Sequence, residues 1–216
     1  MNLLTILTFL PPLVIILYII KSDKFPEPIN NILWVFFIGV FLCIPAIYLN
    51  GFFISDIRNS YFAGITEESL KFLAFIFLIK KNIEFNEKMD ALVYGVLISL
   101  GFATYENYSY VYLMGFSDPH FVASMRMFGA IPLHAMCGVI MGYYLGIHYF
   151  TQNNNCLLKA LLIPISIHAT YNYLTDFGGL WFIFIFILFF FVKPLHKEFV
   201  MDQLKKTSEA EKKTRE

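Results

Sequence analysis

The sequence predicts an all-α membrane protein, a polytopic bundle of about seven transmembrane helices. Three observations carry this. Of 216 residues, 58% are hydrophobic, 19% aromatic and only 15% charged, a balance outside that of soluble domains. The apolar residues fall into seven windows of membrane-crossing length, near 3–20, 31–49, 61–79, 91–113, 127–149, 157–175 and 178–193. The connections between them are too short for a separate soluble domain, so residues 1–193 read as one integral-membrane domain and 194–216 as a charged cytoplasmic tail.

The first window is apolar from Leu3 onward, carries Pro11-Pro12 in its middle, and has neither a basic segment before it nor a small-residue cleavage site after it. It reads as a retained span, not a removable signal. The second follows the turn-rich Lys21–Pro28 connection. The third contains Glu67-Glu68 and Lys71; the fourth ends in Gly101-Phe102-Ala103-Thr104-Tyr105-Glu106-Asn107-Tyr108. The fifth opens with Ile131-Pro132-Leu133-His134 and continues with Gly138, Gly142 and Gly146 on the same ridge, where small residues let another helix approach. The sixth carries His168-Ala169-Thr170-Tyr171-Asn172. The seventh, with its Phe182–Phe191 run, reads as lipid-facing bulk, and the tail beyond it becomes too polar to pack and is expected to fray.

Thirteen of the sixteen Lys and Arg residues sort to one side of this layout; only Arg58 and Arg126 fall opposite, and Lys71 lies within a span. Basic residues are retained in cytoplasmic loops, which places the N-terminus outside, the C-terminus in the cytoplasm, and the chain in the cytoplasmic membrane as a multi-pass protein. Net charge is zero and no basic patch interleaves with aromatics, so nothing points to nucleic acid. Cys43, Cys137 and Cys156 show no paired spacing and read as small buried hydrophobes rather than disulfides or a zinc knuckle. His120, His148 and His196 fall in loops or at span ends and take no role.

An acidic side chain within a bilayer costs roughly 3 kcal/mol even on insertion scales, so such groups face a protein interior or water and mark function. Counted from the outer end of each span, Glu68, Glu106, His134 and His168 each lie seven residues deep, about 10 Å at 1.5 Å per residue. Lys71 is i,i+4 to Glu67 and i,i+3 to Glu68, so it can neutralise one carboxylate while the other, about 100° around the helix, faces a cavity. Asn107 can donate to a developing oxyanion; Asn172, one turn from His168, can orient that ring. Carboxylates and imidazoles suit a divalent metal such as zinc, with Glu68, His134 and His168 as the ligand set. The same groups can activate water without a metal.

Two function classes follow from these residues: a hydrolase built on glutamate- and histidine-activated water, and a transporter or proton relay lined by the same groups. Clustering at one depth, without an inverted repeat, favours the hydrolase.

Glu67-Glu68-x-x-Lys71, Phe102-Ala103-Thr104-x-Glu106-Asn107, Pro132-x-His134 and His168-x-x-Tyr171-Asn172, in this order on successive spans, resemble the PrsW family of intramembrane proteases. That family is distantly similar to the CAAX prenyl endopeptidases. The likeness covers about residues 20–193. It implies an endopeptidase that clips a single-pass membrane protein, such as an anti-sigma factor, near its extracytoplasmic face, the first cut in regulated intramembrane proteolysis. It further implies that Glu67 and Glu68 activate the water, that Glu106 and Asn107 support it, and that His134 and His168 complete the site as metal ligands or oxyanion stabilisers. Thr66 departs from the apolar residue more usual before the glutamate pair, and Asn86-Glu87-Lys88-Met89 replaces a proline-containing turn.

Overall fold

The computed structural model describes residues 2–54, 56 and 59–213, and every regular element among them is helical. Of the basic residues used above for orientation, Arg58 and Arg215 lie outside the described residues. Eight α-helices follow in order: α1 (Leu3–Ser22), α2 (Ile29–Phe53), α3 (Phe62–Phe77), α4 (Lys88–Tyr108), α5 (Pro119–Phe128), α6 (Ala130–Thr151), α7 (Asn154–Leu174) and α8 (Leu180–Lys213). Ser109–Leu113 extends α4 as a short π-helix. Four segments are long and apolar enough to cross a membrane by length and composition: α1, α2, the α5–α6 stretch Pro119–Thr151, and α8.

The bundle is organised around α4, in which every residue from Met89 to Ala103 is buried. That burial needs backbones to come close, and glycines supply it. A Cβ on Gly95 would stand 2.5 Å from the carbonyl oxygen of Gly138 on α6, and one on Gly138 would stand 2.7 Å from that of Gly95. On the opposite side of α4, Gly101 packs on the Phe36 carbonyl of α2, and Gly39 of α2 packs on the Ile98 carbonyl. Helices α1, α2, α3, α6 and α8 pack against α4, with α7 laid on α3 and α6; the outward faces carry the exposed phenylalanines, leucines and isoleucines that hydrocarbon solvates, Phe182, Phe186, Phe189, Phe190 and Phe191 among them.

The fifth expected span is interrupted. Instead of one helix over 127–149, the chain ends α5 at Phe128 and restarts α6 at Ala130. Gly129, with φ −113° and ψ −84°, makes the joint, and the Tyr171 hydroxyl and Trp181 ring occupy the space where a side chain would be. Helix α5 starts at Pro119, with the Asp118 carboxylate accepting from the backbone N–H of His120 and Phe121 at 3.1 and 3.0 Å, a side-chain N-cap.

Past Lys193, α8 continues through Pro194 and packs against the other helices. Phe199 stacks on Tyr143 with ring centroids 4.8 Å apart, and Gln203 donates to Asp23 at 2.7 Å and to Glu87. Nearby, buried Glu27 accepts from Asn31 at 2.8 Å and from the Tyr94 hydroxyl. The three cysteines are free and buried.

Candidate active site

Helix α3 lies against α7 because Gly64 leaves no side chain between them; a Cβ there would be 2.6 Å from the Ala169 nitrogen. The next turn of α3 therefore delivers its two carboxylates beside His168. Glu68 is fully buried, with Oε1 2.7 Å from Lys71 Nζ and 2.9 Å from His168 Nδ1. Lys71 is also fully buried and lies 2.9 Å from His134 Nδ1 and 4.4 Å from the centre of the Phe102 ring. The lysine thus neutralises Glu68, and Glu67 is the carboxylate turned to open space. Its Oε1 accepts from Asn50 Nδ2 at 3.1 Å; its Oε2 is buried with no hydrogen-bond partner among the described residues, 3.9 Å from His168 Nε2.

Glu106, on the last turns of α4, meets two partners from elements it does not contact in sequence. Arg126 of α5 donates to its Oε2 at 2.7 Å, and His134 Nε2 lies 3.1 Å from the same oxygen. Arg126 also donates through Nε to Asn107 Oδ1 at 2.9 Å and covers the Tyr110 ring at 4.1 Å. The Asn107 amide nitrogen donates to the Thr8 carbonyl at 2.7 Å, so both ends of that side chain are engaged in tying α1, α4 and α5 together. Asn172 donates to the Ser60 carbonyl at 3.1 Å and joins α7 to the start of α3.

Hydrogen-bond partners assign the imidazole tautomers. Lys71 can only donate, so His134 Nδ1 accepts and its Nε2–H points at Glu106. Glu68 can only accept, so His168 carries its proton on Nδ1 and turns a free Nε2 lone pair toward Glu67. The two rings stand edge to face with centroids 4.9 Å apart.

Glu67, Glu106, His134 and His168, from four different helices, line one cavity of about 740 Å³, which is also bounded by Asn50, Tyr105, Tyr110, Arg126, Tyr171 and Trp181. Glu68, Lys71 and Asn107 are not among its lining residues. In the sequence Asn50 carries no signal of a role, and Arg126 reads only as a topological charge. Each acquires its partner across the fold, and neither sits in a local pattern that announces one.

Glu67, His134 and His168 each offer a ligand atom, all within 4.8 Å of one another. This set differs in its carboxylate from the expected Glu68, His134 and His168; Glu68 Oε1 serves Lys71 and His168, while its Oε2, like that of Glu67, is buried with no hydrogen-bond partner among the described residues. The donor chemistry fits a borderline divalent ion such as zinc. The unpartnered Glu67 Oε2 and the free His168 Nε2 are what a cation would satisfy, since buried polar atoms in native proteins are otherwise hydrogen-bonded. The carboxylate–histidine contact at His168 Nδ1 is the outer-sphere partner such ligands ordinarily have.

The chain has clear relatives among known proteins. A family profile described as PrsW family intramembrane metalloprotease matches residues 27–195. The chain is 32% identical over 179 residues to Protease PrsW of Bacillus subtilis (strain 168), covering 76% of this chain and 78% of that one. It is 30% identical over 201 residues to Protease PrsW of Clostridioides difficile (strain 630), covering 86% and 84%. It is 33% identical over 174 residues to Protease PrsW of Oceanobacillus iheyensis, covering 76% and 79%. No solved structure matches the chain. With its glutamates and histidines gathered from separate helices and the family profile spanning most of its length, the chain belongs to the PrsW family of intramembrane proteases.

Proposed function

We propose that this protease hydrolyses a peptide bond of a single-pass membrane protein close to the extracytoplasmic face, as the first cut of regulated intramembrane proteolysis. The observation that carries the chemistry is the meeting of Glu67, Glu106, His134 and His168 around one cavity, with Glu67 Oε2 buried and unpartnered there. The sidedness rests on the basic residues. Lys80, Lys81 and Lys88 lie at the end of the bundle remote from the site, and basic loops stay cytoplasmic. An anti-sigma factor is the substrate class suggested by resemblance, and the bacterial cytoplasmic membrane is the setting that goes with it.

Glu67, His134 and His168 would hold a zinc-class ion, which supplies polarisation of the scissile carbonyl and acidification of a water. The chain's own groups do the rest. Glu68 fixes the His168 tautomer through Nδ1, leaving Nε2 available. His134 would offer Nε2 only with its ring proton on Nδ1, the tautomer in which Lys71 Nζ, 2.9 Å away, accepts instead of donating. Glu106 lines the cavity and can carry a proton from the attacking water to the leaving amine, as general acid–base catalysis requires. Arg126 holds the carboxylate in that position at 2.7 Å.

The test is a comparison of membrane proteomes between cells producing the wild-type chain and cells producing Glu67→Gln, Glu106→Gln or His168→Ala. A single-span protein that is clipped with the wild type and intact with all three variants is the expected result. Equal clipping by all three inserted variants would refute the assignment.

A further inference from the structure

Glu67 is held by a side chain outside the glutamate and histidine set. Asn50, in the last turn of α2, donates through Nδ2 to Glu67 Oε1 at 3.1 Å. Its Oδ1 accepts from the Thr66 hydroxyl. The direction of this chain of bonds follows from the end groups. An ionised carboxylate only accepts, so Asn50 must present its NH₂ to Glu67, and the amide oxygen is left for Thr66. The Thr66 hydroxyl also lies 3.1 Å from the Ala63 carbonyl, the back-bond a helical threonine makes by default. Its single proton serves Asn50 only because the amide is oriented this way.

The consequence reaches the cavity. With Oε1 captured from the α2 side, the other oxygen of Glu67, Oε2, is the one turned toward His168 Nε2, 3.9 Å away, buried and unpartnered. Without Asn50, a carboxylate with two free oxygens on a rotatable stem has nothing to select that orientation. We infer that Asn50, locked by Thr66, is a positioning residue that aims Glu67 at the metal-binding space. The inference rests on the Glu67, His134 and His168 ligand set proposed above. Supporting groups of this kind change metal affinity about 10- to 100-fold when removed.

The experiment measures zinc binding by the detergent-purified full chain, by competition with a chromophoric chelator, and repeats it with cobalt to read the ligand field from the visible spectrum. Asn50→Leu should weaken zinc about 10- to 100-fold and alter the cobalt bands. Thr66→Val, which keeps the shape and removes only the donor, should weaken it about fivefold, the equivalent of one ordinary hydrogen bond. Thr66→Ser should bind as the wild type does. Thermal unfolding of each apo variant checks that the bundle is intact, and Thr66→Val carries the test if Asn50→Leu fails to fold. Wild-type zinc affinity in both Asn50→Leu and Thr66→Val, alongside lost affinity in Glu67→Gln, overturns the positioning role alone. Wild-type affinity in Glu67→Gln, or no zinc bound by the unmodified chain, overturns the ligand set and the positioning role together.

Discussion

His168 Nδ1 lies 2.9 Å from Glu68 Oε1, and both side chains are buried. This contact assigns different jobs to two adjacent glutamates. Glu68 faces its neighbours and sets a histidine; Glu67 faces the cavity. Glu68→Gln keeps an acceptor oxygen but loses the charge that holds the imidazole. It should lower cleavage about 10- to 100-fold, the usual cost of removing such a partner, whereas Glu67→Gln should abolish it. Initial rates of substrate clipping in isolated membranes separate these outcomes, and equal losses in the two variants would contradict the division of labour.

Lys71 and Glu68 form a fully buried ion pair at 2.7 Å. Removing one member leaves the other charged in a low-dielectric interior, which costs about 3–5 kcal/mol. Lys71→Met should therefore unfold at much lower temperature than the wild type. The double variant Lys71→Met with Glu68→Gln removes both charges and should recover much of that loss while cleaving no faster than Glu68→Gln. A double variant less stable than either single variant would show that the pair is not the source of the penalty.

The same two residues show what was legible in the sequence. Charge inside an apolar span is costly, so Glu67, Glu68, Lys71, Glu106, His134 and His168 stood out before any coordinates, and the fold does bring them together. Amides do not stand out in that way, because an Asn can satisfy itself on any nearby backbone carbonyl. Asn107 and Asn172 were expected to serve the chemistry; their amide nitrogens bond the carbonyls of Thr8 and Ser60, and of the two only Asn172 also lines the cavity. Arg126 and Asn50 were passed over for a related reason. Their partners, Glu106 and Glu67, lie 20 and 17 positions away, and no helical period links them. The break at Gly129 was hidden because Met127 and Phe128 are apolar and extend the fifth window without interruption. The Tyr171 hydroxyl and Trp181 ring packed against Gly129 show why no side chain fits at that joint.

The glycine ridge makes a prediction about stability with its own control. A methyl group on Gly138 would press on the Gly95 carbonyl, which is backbone and cannot rotate away. Forcing α4 and α6 apart should cost about 1–3 kcal/mol, as overpacking does in other cores, and should move His134 relative to Glu106. On α2, Gly51 has nothing within 4 Å of the same added atom, so Gly51→Ala should be neutral or gain up to about 1 kcal/mol from helix propensity. Thermal unfolding in detergent checks both; similar melting temperatures for the two variants would remove the steric argument.

Arg126 tests whether a side chain read as a topological charge in fact shapes the site. It reaches Glu106 at 2.7 Å and Asn107 at 2.9 Å with two different nitrogens while lying over Tyr110. A planar fork can do all three at once, and a lysine ammonium cannot. Arg126→Lys should preserve insertion and overall charge yet lose about 10-fold or more in cleavage, one to two hydrogen bonds' worth. Activity within twofold of wild type would mean that charge alone suffices.

Glu27 provides a pH dependence outside the spans. It sits in the α1–α2 connection, buried, and burial raises its pKa above the usual 4.5, with Asp90 and Glu84 as the neighbouring acids and the Tyr94 hydroxyl and Asn31 amide as donors. The sign follows from linkage. An acid whose pKa is higher in the folded state favours folding when protonated, so its contribution is fully present below 4.5 and is lost as pH rises through the raised folded value. Glu27→Gln keeps the neutral shape at every pH and escapes that loss. The melting temperature of Glu27→Gln should match or fall below that of the wild type at acidic pH and exceed it at alkaline pH, because only the wild type must ionise a buried carboxyl. Groups remote from Glu27 contribute equally to both proteins and cancel in the difference; Asp90, which the Glu27 charge pushes up, changes with it. A difference that stays constant across the range would mean that Glu27 is as well solvated in the fold as in the unfolded chain.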